Sequence, residues 1–429
     1  MFKVLVIAYY YPPMGMSGVQ RTLKFTKYMK KYNWEPTVIT AGDVGYFAHD
    51  NSLLSEVANA DIRVVRTEGK EPNSVLKKFG TISLPREWIR KLLSNLSKTF
   101  FIPDNKISWS QSAYKTAKDL LKNEKYDVIF VSIPPFSAFS IAIQLKKEFE
   151  IPVIVDYRDL WLNNQFAFYP TPLHKHLHKK KEYEALRFSD KIIVVNRRIK
   201  EEILKNYGFL KFEDIVIIPH GFDQEDFLNC PPQKSSLKKD KIRILYSGIF
   251  YENITPKLFF QAFNELRKEF PYIANFFELH FIGHFRKENL KLVKKLKLES
   301  FVYVHGYMEH TEVIKKLSEA DILWMMLGNG KNMDTVTAGK LFEYFGTRKP
   351  IMALLPDGAS KNACVEYEAS FISDPDNIID IKNNFIKMYN LFINNKLPIP
   401  NEEFVLKHDR EFLTKLLTQQ FQFNLKEIQ

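Results

Sequence analysis

The chain alternates between short, almost wholly apolar runs and longer stretches in which apolar residues recur every three or four positions. In the first half the apolar runs are "FKVLVIA" (2–8), "EPTVIT" (35–40), "IRVVRT" (62–67), "DVIFVS" (127–132), "PVIVDY" (152–157), "KIIVV" (191–195) and "DIVIIPH" (214–220). Short runs with little polar alternation mark strands covered on both faces, as in a parallel sheet packed between helices. Helical patterns at 18–32, 109–124, 137–148 and 178–188 fall between them. The alternation predicts a doubly wound parallel α/β domain. "MFKVLVIAYYYPP" has a short apolar stretch and no small-residue cleavage site, so it reads as the first strand and not as a secretion signal.

The alternation breaks at "FDQEDFLNCPPQKSSLKKDK" (222–241), a polar, aperiodic stretch with two prolines that reads as a linker. A second series follows: "IRILYSG" (242–248), "FELHFIG" (277–283), "VYVHG" (302–306), "DILWMM" (321–326), "PIMALL" (350–355) and "SFIS" (370–373), with helical sequence to the C-terminus. The predicted organisation is a domain over 1–225, a second over 226–400, and a helical segment over 401–429 that packs back on the first. Open α/β sheets bind ligands beyond the carboxyl ends of their strands, so two facing domains of this kind enclose one deep cleft.

One stretch stands outside the series. "VLKKFGTISLPREWIRKLLSNLSKTFFIP" (75–103) carries Trp88, Ile89, Leu92, Leu93, Leu96 and Phe100 on one helical stripe. Lys77, Lys78, Arg86, Arg90, Lys91 and Lys98 accompany it against a single acid, Glu87. Two readings stay open. A basic amphipathic helix with aromatic residues lies on an anionic membrane surface, or the insertion packs its stripe on its own domain. "HKHLHKKK" (174–181) admits the same pair.

Composition narrows the classes. With 429 residues, 45% of them hydrophobic and 26% charged, the chain has the make-up of a soluble globular protein with room for two cores. No apolar run approaches the roughly 20 residues of a spanning helix. The +12 net charge allows nucleic acid, anionic lipid or a phosphate-rich substrate as partner. No zinc-finger spacing or RNP-type aromatic stretch accompanies it, so nucleic acid is not expected. Cys230 and Cys364 have no zinc spacing, and the cytoplasm is the expected compartment. His174, His176 and His178 lack an acid at a metal-site spacing.

Phosphate chemistry is the clearest local signal. Gly15 and Gly18 follow the first strand, where glycine lets the backbone approach a ligand, although a tight turn explains them equally. There is neither G-x-G-x-x-G nor a P-loop lysine. In the second series Gly248, Gly283 and Gly306 each end a strand, Tyr307 follows the last, and Lys257 stands near a helix start. Gly339, Lys340 and Glu343 open another helix in "TAGKLFEYFGTRKPI" (337–351). Helix starts favour acids, because their first N–H groups and dipole are positive, so a lysine there points to a bound anion. Such an edge suits a diphosphate and a flat base.

These motifs resemble the retaining glycosyltransferases of glycosyltransferase family 4, with the GT-B fold of two facing Rossmann-like domains. The resemblance runs through "YYPPMGMSGVQRTLKFTKYM" (10–29), "PDNKISW" (103–109), "SIPPFS" (132–137), "VDYRDLW" (155–161), "IPHGFDQEDF" (218–227) and "TAGKLFEYFGTRKPI". It looks most like the bacterial members that build capsule, O-antigen or exopolysaccharide. The resemblance implies a hexosyltransferase that needs no metal or other cofactor. It would take a UDP- or GDP-linked sugar and a glycan or polyprenyl-linked acceptor, at the inner membrane face. It implies that Glu343 binds the ribose hydroxyls, which a carboxylate suits because it only accepts. The turn at Gly339 would receive the diphosphate, and Lys340 and Lys257 would offset its charge. Asp156, Arg158 and Asp159 would orient the acceptor or steady the sugar, unless Asp and Arg form a buried structural pair.

Two departures stand out. Thr335 occupies the place where many relatives carry a sugar-binding glutamate, and no arginine follows Gly248 in "IFYENITPK". "DPD" (374–376) resembles the metal-binding acid pair of the other glycosyltransferase fold, but a proline-centred turn explains it better. A nucleotide-sugar epimerase of the same fold and a non-catalytic nucleotide-binding scaffold are the alternatives.

Overall fold

The computed structural model describes residues 1–15, 17–42, 44–46, 48–69, 87–228, 241–252 and 254–426. Two compact units divide the chain, one of residues 1–220 with 410–429 and one of residues 221–409.

The first unit is built on a seven-stranded parallel sheet. Its strands are β1 (Phe2–Ile7), β2 (Trp34–Ala41), β3 (Arg63–Thr67), β4 (Val128–Ile133), β5 (Val153–Tyr157), β6 (Lys191–Val194) and β7 (Ile215–Ile217), in the order β3-β2-β1-β4-β5-β6-β7. Every residue of the central strand β4 is buried, the consequence of helices on both faces. Order reverses between β1 and β4, which pair in register from Val4 with Val128 to Ile7 with Val131. Open α/β sheets take ligands beyond the strand ends at such a switch point, and Gly15 and Gly18 lie in the chain after β1. The C-terminal helix Arg410–Lys426 belongs to this unit and supplies Leu413, Leu417 and Phe421 to its core. Phe421 lies edge-on to Trp34 at 5.0 Å.

The second unit repeats the plan with six parallel strands. These are β8 (Ile242–Ser247), β9 (Phe277–Ile282), β10 (Val302–Gly306), β11 (Ile322–Met326), β12 (Ile351–Leu354) and β13 (Ser370–Ser373), ordered β10-β9-β8-β11-β12-β13. Its core centres on Trp324 of β11, stacked on Phe259 at 3.9 Å. β10 is an edge strand, and its Tyr303 and Val304 are exposed. The α/β reading of both halves as Rossmann-like doubly wound sheets therefore holds.

Several boundaries differ from the expectation. The helix expected over 178–188 begins at Pro172, because Thr171 caps it by accepting from the His174 N–H and proline suits the first turn. The expected linker starts later than 222. Gln224–Leu228 is a short helix, and Phe222 pairs with the second unit through its N–H to the His408 carbonyl. The rest of that stretch, 229–240 with Cys230, lies outside the described residues, as do Lys77, Lys78 and Arg86 of the 75–103 stretch. The predicted amphipathic helix is found at Glu87–Phe100.

Candidate functional site

In the second unit the glycine-ended strands β8, β9 and β10 are neighbours, so their ends come together. The Gly248 N–H donates to the Ile282 carbonyl (2.9 Å) and the Gly283 N–H to the Gly306 carbonyl (2.7 Å). Gly283 has φ +106°, and a Cβ there would stand 2.3 Å from the Gly248 carbonyl oxygen. Only glycine fits, since the chain is in the left-handed region and a second backbone occupies the side-chain position. Gly306 has φ +78° but open space around it. Tyr307 is exposed and stacks on His284 at 6.3 Å.

Lys340 meets this edge from the helix Gly339–Thr347. Its Nζ donates to the Tyr246 hydroxyl at 2.7 Å and lies 3.9 Å from the centre of that ring. A Cβ on Gly248 would come within 2.7 Å of the same Nζ, so glycine makes room for the ammonium group. Burial pushes the Lys340 ammonium down to about 7, with Glu343 opposing the shift. The helix has no acid in its first turn and Ala338 offers no capping side chain. Its first N–H groups and a half-buried lysine thus share one end, an arrangement that favours an anion. One turn on, the Tyr344 hydroxyl accepts from the Ser247 N–H (2.9 Å) and pins the helix to the end of β8.

Glu343 carries a neighbour that the sequence reading missed. His310 Nε2 lies 3.4 Å from Glu343 Oε1 and 3.9 Å from Asp226 Oδ2. "YMEH" after β10 is a helix start, but nothing in its spacing points to a residue 33 positions away (343 − 310). Arg286 was also missed. It follows β9, and its Nε donates to the Phe250 carbonyl at 2.7 Å, beside the stretch after Gly248 where the reading found no arginine. Lys257 opens the helix Lys257–Glu269 as an exposed residue with no hydrogen-bond partner among the described residues. Thr335 bonds through its hydroxyl to the Asn332 carbonyl (3.0 Å) within a 3-10 turn. The DPD segment is a turn, its two carboxylates accepting from the Asn329 side chain.

In the first unit the "VDYRDLW" residues separate into different roles. Asp156 is fully buried and accepts from Arg21, from Nε at 3.0 and 2.9 Å and from Nη2 at 2.8 Å. Arg21 also donates to the Pro219 and Ile218 carbonyls. The buried Asp–Arg pair therefore forms with Arg21 and not with Arg158, and Asp156 touches no solvent. Arg158 donates to the carbonyls of Ile133, Gly18 and Pro134 at 3.1, 2.7 and 3.3 Å, holding the loops after β1 and β4 together. Its own donors are thus engaged by the backbone. Asp156 thus serves the buried pair with Arg21, and Arg158 braces the backbone after β1 and β4. Asp159 is different. It is half-buried, burial raises its carboxyl with Arg158 opposing, and it has no hydrogen-bond partner among the described residues.

Around these lie Gly15, whose N–H donates to the Ala48 carbonyl, and Gly18, where a side chain would meet nothing within 4 Å. His220, also missed, sits among Arg21, Arg410 and Arg158, and burial followed by those charges holds it well below the ordinary imidazole value. Of the three histidines near 176, His178 accepts from Trp161 Nε1 at 2.8 Å and His174 bonds Thr171 and the Thr99 carbonyl.

The fold and the phosphate-suited strand ends define a protein of the GT-B class: two Rossmann-like parallel-sheet domains. Residues 17–226 match the family Glycosyltransferase Family 4. No curated protein matches the chain. Its fold is similar to that of a glycosyltransferase from Rickettsia africae ESF-5, with TM-score 0.65, 14% identity and 99% of each chain covered. It is also similar to sucrose-phosphate synthase from Thermosynechococcus elongatus, with TM-score 0.67, 13% identity and 100% of each chain covered. A third similar structure is UDP-GlcNAc 2-epimerase from Neisseria meningitidis bound to UDP-GlcNAc, with TM-score 0.55, 14% identity, and 97% of this chain and 99% of that one covered.

Proposed function

We propose that the protein is a cytoplasmic retaining glycosyltransferase. It moves a hexosyl group from a nucleotide-diphosphate sugar to a glycan or lipid-linked glycan acceptor in surface polysaccharide synthesis, without a metal ion. The observation that carries this reading is Lys340, held by Tyr246 against Gly248 at the N-terminus of the helix that also bears Glu343. The diphosphate would sit on the first N–H groups of that helix with Lys340 beside it. Glu343 would accept from the ribose hydroxyls. The glycine ends of β8, β9 and β10 would admit the nucleotide close to the backbone.

Negative charge grows on the leaving diphosphate as the glycosidic bond breaks. A fixed cation and aligned N–H groups then favour the transition state over the bound substrate, which is how such a site accelerates transfer. Retention follows if the leaving phosphate takes the acceptor proton while the new bond forms on the same face. Asp159 is the carboxylate of "VDYRDLW" left to orient an acceptor hydroxyl, since Asp156 is held by Arg21.

The test is the melting temperature with UDP, GDP and ADP and their sugar conjugates, for the parent and Glu343→Ala. A nucleotide at 100 times its dissociation constant adds about 2.7 kcal/mol of stability. A shift with one base family, reduced in Glu343→Ala, supports the donor assignment. Release of nucleoside diphosphate only with added acceptor supports transfer. Conversion of a nucleotide-sugar with no acceptor supports the epimerase instead, and no shift with any nucleotide overturns both.

A further inference from the structure

A histidine from another helix holds the Glu343 carboxylate. His310 opens the helix His310–Glu319 and sets its Nε2 3.4 Å from Glu343 Oε1. The same nitrogen lies 3.9 Å from Asp226 Oδ2, so one imidazole edge faces two carboxylates. Carboxylates only accept, so the nitrogen they share carries the hydrogen. The three side chains are largely buried, with exposures of 10% for His310, 17% for Glu343 and 19% for Asp226, and water screens their attraction less than it would at the surface. Asp226 reaches this place through a glycine. Gly346 stands three residues after Glu343, on the same side of their helix. A Cβ there would come within 2.6 Å of the Phe222 ring and 2.7 Å of the Phe227 ring. Only a glycine lets the segment with Phe222 and Phe227 lie so close, and that segment carries Asp226.

We infer that His310 is a positioning residue: braced by Asp226, it fixes the Glu343 carboxylate and thereby makes the site select ribonucleoside over 2′-deoxyribonucleoside diphosphates. The inference rests on the donor-site reading above. An unrestrained glutamate samples many rotamers, and ordering it on binding costs entropy; a carboxylate already held by His310 avoids that cost. Fixing it also sharpens discrimination. A ribose offers two hydroxyl donors, and one carboxylate accepts from both. A 2′-deoxyribose leaves part of that acceptor capacity without a donor, in a place where little water replaces it. A mobile carboxylate would turn toward water and lose little by the missing hydroxyl, whereas one tied to His310 stays where the hydroxyl belongs. A site built around a substrate hydroxyl rejects the analogue lacking it for this reason. If His310 served only to join its helix to the Asp226 segment, ribose and deoxyribose ligands would feel its loss equally.

Titration calorimetry of the full chain tests it, with UDP, GDP and ADP each measured beside its 2′-deoxy counterpart. The parent is expected to bind one base family and to prefer its ribose form about 30-fold, the worth of one hydroxyl on a largely buried carboxylate. His310→Ala should reduce that preference to about threefold, mainly by weakening the ribose form. His310→Gln, which keeps an N–H donor on its side chain, should restore most of it. Glu343→Ala should abolish it. Both ligands are read on the same protein, so a general loss of stability lowers the two affinities together and leaves their ratio unchanged. An undiminished preference in His310→Ala, with the preference lost in Glu343→Ala, overturns the positioning role and leaves the donor reading standing. A glutamine variant as unselective as the alanine one marks a packing role and overturns the inference as well. Equal affinity of the parent for ribose and deoxyribose forms overturns the ribose assignment of Glu343 and this inference with it. Binding of no nucleotide at all overturns the donor reading itself, and the inference falls with it.

Discussion

Arg21 and Asp156, 135 residues apart, form a buried ion pair in which Arg21 Nη2 stands 2.8 Å from the carboxylate and also bonds the Ile218 carbonyl. The pair ties the first helix, the end of β5 and the segment after β7 into one unit. Removing one partner leaves a charge with neither water nor a counter-ion. Asp156→Ala is therefore expected to cost about 3–5 kcal/mol, read as a lower urea midpoint. A variant of unchanged stability would return Asp156 to the list of substrate-facing groups.

Asp159 should behave in the opposite way. It is half-buried and has no hydrogen-bond partner among the described residues, so Asp159→Asn should leave the melting temperature nearly unchanged while lowering transfer about 100-fold, in line with losing a positioned carboxylate. Equal turnover in parent and variant would remove it from the proposed mechanism.

Lys340 couples anion binding to pH. Burial depresses its ammonium from 10.5 to about 7, so in the free protein it is largely uncharged above that value. Because the folded value is lowered, its contribution to stability is present at high pH and is lost as pH falls through about 7. A bound diphosphate restores the charge, so binding above that pH should take up a proton and weaken as pH rises. Titration calorimetry in buffers of different ionisation enthalpy measures the uptake, which Lys340→Met should abolish.

Glu182 has the reverse sign. It lies buried beside the hydroxyls of Tyr157 and Tyr207, and burial raises it from 4.5 to about 7. A raised carboxyl stabilises the fold below its unfolded value and loses that contribution as pH rises through about 7. The loss between about pH 5 and about pH 8.5 should be on the order of 3 kcal/mol. Glu182→Gln should flatten this component of urea stability against pH. A parent and variant with parallel pH profiles would refute it.

The strand-end glycines are separable. Gly283→Ala drives a methyl into the Gly248 carbonyl and should cost about 2–3 kcal/mol and the nucleotide-induced melting shift. Gly306→Ala meets open space and should cost only about 1 kcal/mol of backbone strain. Melting curves of the two variants, with and without nucleotide, test the ranking.

The strands were legible because a parallel strand between two helical layers is apolar along its own length, so each carries its signature in four to eight consecutive residues. The Pro172 helix start was legible too, in Thr171-Pro172, although periodicity alone placed it later. Gly248, Gly283 and Gly306 were visible as strand ends, and "TAGKLFEYF" as a helix start with an uncapped lysine.

By itself the sequence determined two doubly wound sheets, a basic chain with phosphate-suited glycines, and an amphipathic helix near residue 90. Those properties arise from neighbours a few positions apart. Tertiary structure alone decided that Asp156 belongs to Arg21, that His310 faces Glu343, that Lys340 rests on Tyr246, and that the stripe of Trp88 and Leu92 points outward. Each depends on side chains distant in sequence or on which side of a helix the protein lies. Periodicity shows that a helix has two faces, and only packing shows which one it turns to the solvent.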